Sequence, residues 1–68
     1  LGESKITIRE MTVADILVVG RYERELFSDP WPEAVFREDI LSSYSYPIVL
    51  ELDGEIVGYA VLWVGVGE

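Results

Sequence analysis

The chain is 68 residues long, carries 13 acidic against 5 basic side chains for a formal net charge of -8, and is 50% hydrophobic. That length holds one small domain or part of one and excludes a two-domain enzyme. The acidic balance repels polyphosphate and excludes nucleic acid as the expected partner, while the apolar half of the composition excludes a disordered acidic segment.

Strand and helix signals follow in chain order. Ile6 and Ile8 alternate with Thr7 and Arg9, which predicts a short strand with one apolar face. Thr12 and Asp15 have capping-box spacing, and Met11 is placed to staple the helix they start. That helix is expected to run to about Phe27, with Val13, Ile16, Leu17, Gly20 and Phe27 near one face and Arg21, Arg24 and Glu25 in water. Gly20 costs ~1 kcal/mol in a helix interior, so a close approach to a sheet is expected there. Ser28-Asp29-Pro30-Trp31-Pro32 breaks the helix into a rigid, extended loop, because neither proline has an amide donor and each biases its predecessor away from helix.

Pro32 is suited to open a second helix, with Glu33 near its positive end, Phe36 and Ile40 on one face, and an end near Ser42-Ser43. Glu38 and Asp39 point to different sides of that helix, which predicts a solvated face rather than an acid/base dyad. Tyr44 to Pro47 reads as a polar-aromatic connection, with Tyr44 and Tyr46 at the surface. Two β-rich runs, from Ile48 to Leu52 and from Glu55 to Val64, flank Asp53-Gly54 and predict a tight hairpin. The second arm is apolar on both faces: Val57, Tyr59, Val61 and Trp63 on one, Ile56, Gly58, Ala60, Leu62 and Val64 on the other. This is the pattern of a central strand covered on both sides. Nothing in the chain is left to cover it, which predicts a partial domain completed by a missing C-terminal half, or a homo-oligomer formed through the exposed strand edge.

Absences narrow the chemistry. Without Cys or His the chain supplies no Ser-His-Asp or Cys-His nucleophile and no zinc site of the usual ligands. No apolar run approaches the ~20 residues of a membrane span and no secretory signal pattern opens the chain, so a cytoplasmic protein with no membrane contact is expected.

The order of strand, two helices joined by Phe27-x-x-Pro30-Trp31, and an Asp53-Gly54 hairpin leading to Val57-Gly58-Tyr59 resembles the first half of the GNAT superfamily of N-acetyltransferases. Within it, the segment from Tyr22 to Phe36 is similar to the Glu-x-x-x-Phe-x-x-Pro-Trp segment of the ribosomal-protein alanine N-acetyltransferase branch. The resemblance covers about Ile6 to Val64 and implies an α+β, β-α-α-β-β N-terminal half of that fold, a mostly antiparallel three-stranded sheet with two helices. It implies residues 1–68 as a partial domain lacking the acetyl-CoA-binding half. The implied activity of the complete domain is transfer of acetyl from acetyl-CoA to the N-terminal α-amine of a protein, such as a ribosomal protein.

By the same resemblance, Phe27, Pro30 and Trp31 occupy the loop that forms the groove for the acceptor's N-terminus. Phe27 and Trp31 have a second reading as plugs of the core beneath the loop. Glu23 on the first helix is a candidate for binding the peptide amine, against a solvated-surface reading. The family's Gln/Arg-x-x-Gly-x-Gly/Ala loop for acetyl-CoA is absent and Gly65-Val66-Gly67 has no helix after it, so no cofactor is expected to bind this chain alone. The family's general acid and base lie later, so no catalytic residue is carried over and the chain alone is expected to be inactive. Pro32 stands where relatives often place a Ser or Thr N-cap. The alternative is a non-catalytic module that self-associates through the edge of strand 55–64.

Overall fold

Asp53 and Gly54 have φ of 52° and 89°, the left-handed pair that a two-residue hairpin turn requires. In the computed structural model, which describes residues 4–65, this turn joins the two longest strands. The elements are β1 (Ile6–Glu10), a 3-10 turn (Val13–Asp15), α1 (Ile16–Leu26), α2 (Glu33–Leu41), β2 (Ser45–Leu52) and β3 (Glu55–Trp63). The sheet has the order β1-β2-β3, antiparallel throughout, and with the two helices it makes an α+β fold. Among the described residues no helix is long and apolar enough to cross a membrane. Val66 and Gly67, two of the three residues of the Gly65-Val66-Gly67 expectation, lie outside the described residues.

β3, whose residue pattern is that of a central strand, has the exposed edge expected of it among the described residues, because β1 pairs with β2 rather than with β3. The β1–β2 pairing is locked at its open end by Asp53, whose amide donates to the Lys5 carbonyl while its Oδ1 accepts the Lys5 amide, each at 2.9 Å. β2 also starts earlier than its sequence suggests, since Ser45-Tyr46-Pro47 continues the strand. Pro47 is tolerated there because it sits where β1 ends: its carbonyl still accepts the Met11 amide at 2.9 Å, and the ring forfeits only the return bond.

The helices cover one sheet face, around a core of Met11, Ile16, Val19, Phe36 and Val49 with Ile40, Ile56, Tyr59 and Val61 packed against it. The expectation about the phase of α1 is corrected. The buried stripe of α1 is Ile16, Val19, Gly20 and Glu23, whereas Val13, Leu17 and Phe27 are exposed. The 3-10 first turn changes the angular step, so residues before Ile16 do not extend the stripe of the helix after it. Ile6 and Ile8 lie on the sheet face turned away from the helices and are 66% and 65% exposed, while Arg9 occupies the helix side.

A bulge moves one β3 residue across the sheet. Leu50 pairs with Gly58 and Glu51 with Ile56, leaving Val57 as the extra residue. Ile56 therefore joins the helix side instead of the face shared by Gly58, Ala60 and Leu62. Gly20 does meet a close neighbour, but it is α2 and not the sheet: a Cβ there would lie 3.0 Å from the Glu33 side chain.

The Thr12–Asp15 capping box forms. The Thr12 amide donates to Asp15 Oδ2 at 2.7 Å and its hydroxyl donates to the same oxygen at 3.1 Å. Arg9 then grips Asp15 through Nη1 and Nη2 at 2.8 and 2.9 Å and reaches Glu51 through Nε at 2.9 Å. Met11, the stapling residue, is buried in the core.

Candidate functional site

Phe27 caps the C-terminus of α1: its amide still donates to the Glu23 carbonyl at 3.1 Å while its own backbone turns extended. The prolines hold the following loop extended as far as Pro32, which N-caps α2 with φ of -69° and no side-chain cap bond. The loop therefore stands beside β3 and encloses a cleft of about 690 Å³. Glu23, Phe27 and Trp31 line it, together with Tyr22, Tyr59 and Trp63. Pro30 is half-buried in the loop behind it and is not part of the lining.

The plug reading fails for the two aromatic loop residues: Phe27 is 53% and Trp31 43% exposed, and the plug of the core is Phe36. Trp31 lies 6.0 Å from Phe36 and 5.9 Å from Trp63, ring centre to ring centre. Phe36 meets Tyr59 edge-on at 6.0 Å, and Tyr59 stacks with Tyr22 at 6.5 Å. Such contacts fix ring positions and leave aromatic faces for an apolar ligand.

Glu23 is not a solvated helix residue. It is 7% exposed, with Oε1 accepting from the Tyr59 hydroxyl at 2.7 Å and Oε2 from the Trp31 amide at 3.0 Å. Burial and the hydrogen bond to Glu23 hold the Tyr59 phenol well above its ordinary value, so it stays protonated and donating at neutral pH. Tyr22 donates to the Ile56 carbonyl at 2.7 Å, at the bulge and next to Val57 in the cleft lining.

Tyr22, Tyr59 and Trp63 escaped the sequence reading as site residues. The face grouping of Val57, Tyr59, Val61 and Trp63 was the available signal, and all four line the cleft. The Glu38–Asp39 expectation is half corrected: Glu38 is exposed, but Asp39 is half-buried, its Oδ1 accepting from the Ser45 hydroxyl at 3.3 Å. Tyr44 and Tyr46 are at the surface.

The described residues do not fit the pyrophosphate of acetyl-CoA. Such a group needs free amides at a helix N-terminus. The Asp15 carboxylate already takes the Thr12 amide at the first helical turn, and the acidic Glu33 opens α2. Among the described residues no group of three or more His, Cys, Asp or Glu side chains gathers as a metal site.

Comparison with known proteins finds two curated relatives. Over 63 residues, 91% of the chain, it is 32% identical to a Bacillus subtilis (strain 168) protein assigned as a ribosomal protein bS18-alanine N-acetyltransferase. Over 57 residues, 81% of the chain, it is 35% identical to the N-alpha-acetyltransferase RimI of Mycobacterium tuberculosis (strain ATCC 25618 / H37Rv). The matches cover 42% and 36% of those proteins, so the chain spans about two fifths of the length of the curated relatives it matches. No family model matches, and no solved structure does. The chain belongs to the GNAT N-acetyltransferases, in the branch of the ribosomal-protein alanine N-acetyltransferases.

Proposed function

We propose that residues 1–68 form the acceptor-side part of an N-acetyltransferase domain whose acetyl-CoA-binding half lies outside these residues. The complete domain would transfer acetyl from acetyl-CoA to the N-terminal α-amine of a protein, with a ribosomal protein as the expected acceptor class. The observation that carries this reading is the convergence of Glu23, Phe27 and Trp31 on one cleft against β3. Phe27 and Trp31 provide an apolar wall for the first side chain of the acceptor, and Pro30 keeps the loop from folding away. The amine must lose a proton before it can act as a nucleophile. No described residue is assigned as the base or the acid. A chain of net charge -8 attracts a basic acceptor such as a ribosomal protein.

Incubation of the purified 68-residue chain with acetyl-CoA and a peptide copying a ribosomal-protein N-terminus tests this directly. No acetyl transfer is expected; turnover by the chain alone would sink the claim that the other half is essential. In a domain completed by the acetyl-CoA-binding half of a relative, Trp31→Ala should raise KM for the peptide about tenfold, the scale of a lost aromatic wall. An unchanged KM would remove Trp31 from the groove.

A second reading is favoured by the outer edge of β3, which has no strand partner among the described residues. Two copies pairing β3 with β3 would make a six-stranded sheet without any catalytic role. Sedimentation equilibrium separates the readings, since a monomer at all concentrations excludes the self-associating module.

A further inference from the structure

The loop from Pro30 to Pro32 has a single backbone donor. Pro30 and Pro32 have none, which leaves the Trp31 amide, and that amide donates to Glu23 Oε2 at 3.0 Å. The other oxygen of the same carboxylate accepts from the Tyr59 hydroxyl at 2.7 Å. One side chain of α1 is therefore joined to the wall of the cleft through Trp31 and to its floor through Tyr59. The remaining described glutamates are exposed or half-buried; Glu23 is 7% exposed, with each oxygen committed to a donor within the chain. A carboxylate so placed is poorly available to an incoming ammonium.

We infer that Glu23 is a positioning residue: it sets the separation of the Trp31 wall from the Tyr59 floor and acts on an acceptor through them, not by receiving the acceptor's amine. The glutamate length is part of the device, because Glu23→Asp keeps the charge but draws the carboxylate back by one methylene, out of reach of two donors on different elements. The naming of the occupant as an acceptor peptide rests on the function proposed above; the geometry of wall and floor does not.

The test uses the 15N-labelled full chain and two readouts. In the first, hydrogen exchange at the Trp31 amide is compared among the unsubstituted chain, Glu23→Gln, Glu23→Asp and Tyr59→Phe. Exchange should rise at least tenfold in both Glu23 variants while the Val49 amide in β2 stays within threefold, and Tyr59→Phe should move Trp31 by less than threefold. Should Glu23→Gln fail to fold, Glu23→Asp carries the comparison, and a Trp31 amide as protected as before would overturn the inference. In the second, a basic peptide with a free N-terminus and the same peptide N-acetylated are titrated in. Glu23→Gln should weaken both by the same factor, about five- to tenfold. A loss confined to the free amine would overturn positioning in favour of direct contact. If neither peptide binds the unsubstituted chain, the acceptor reading fails and the exchange result alone decides the role of Glu23.

Discussion

Arg9 and Asp15 lie six residues apart and tie the end of β1 to the first turn of the helical segment. Arg9 holds the Asp15 carboxyl at about 2, down from 3.8, with the Thr12 amide and hydroxyl assisting. The folded value is the lower one, so the contribution is fully present above pH 4 and is lost as pH falls from about 4 to 2. A shift of that size corresponds to about 2 kcal/mol. Thermal melts between pH 5 and 2 should show this loss in the unsubstituted chain, and Asp15→Asn should flatten that stretch of the curve. The capping-box role of Asp15 is legible from its spacing to Thr12. The Arg9 contact is not, because it depends on which face of β1 meets the helices. Glu23 follows the same logic: its place in the motif with Phe27, Pro30 and Trp31 can be read, but its two hydrogen-bond donors come from a loop and a strand that only packing brings near.

Individual elements differ in how strongly local sequence controls them. The Asp53-Gly54 turn is decided locally, since the required positive φ falls on an Asp, which tolerates it, and on a Gly, which has no Cβ to oppose it. Gly54→Ala should cost about 1–2 kcal/mol from backbone strain alone, as a Cβ at Gly54 meets no atom within 4 Å. Urea unfolding would measure it. Gly20→Ala behaves differently. The new methyl would press on Glu33 at 3.0 Å, yet that side chain is partly solvated and its pair with Arg24, at 3.5 Å, is an exposed one of little worth. Glu33 can swing aside, and the helix gains from alanine, so a net stabilisation of up to ~0.5 kcal/mol is expected. A destabilised variant in the same assay would mean that α2 cannot yield. The 3-10 first turn takes Val13 off the buried stripe, and the bulge at Val57 puts Ile56 on the helix side of the sheet. Both insert an irregular step into a regular period, and neither carries a residue signature of its own here.

Across the whole molecule, the two sides of the sheet are unequal. Phe36, 1% exposed and at the centre of the aromatic contacts, is the largest fully buried side chain. Phe36→Ala should cost about 3–5 kcal/mol, enough to abolish a cooperative melt in a domain of this size. The opposite sheet face carries Ile6, Ile8 and Leu62, each more than half exposed. The total accessible surface is 5097 Å², against about 4,300 Å² for a closed domain of the same mass. Replacing Ile8 and Leu62 together by lysine should leave the melting free energy within about 0.5 kcal/mol, because neither side chain is buried. It should also reduce association in sedimentation runs if that face is where copies meet.

From sequence alone come the strand-helix-helix-hairpin order, the capping box, the turn and the motif of Glu23, Phe27, Pro30 and Trp31. Each depends on local backbone preference or on spacing within about ten residues, which one chain records directly. Tertiary structure decided that β2 is the central strand, that Glu23 is buried between Trp31 and Tyr59, and that Phe27 lines a cleft instead of filling the core. Those outcomes are set by which faces meet. An apolar residue satisfies a core and a groove equally well until packing leaves one face of it uncovered.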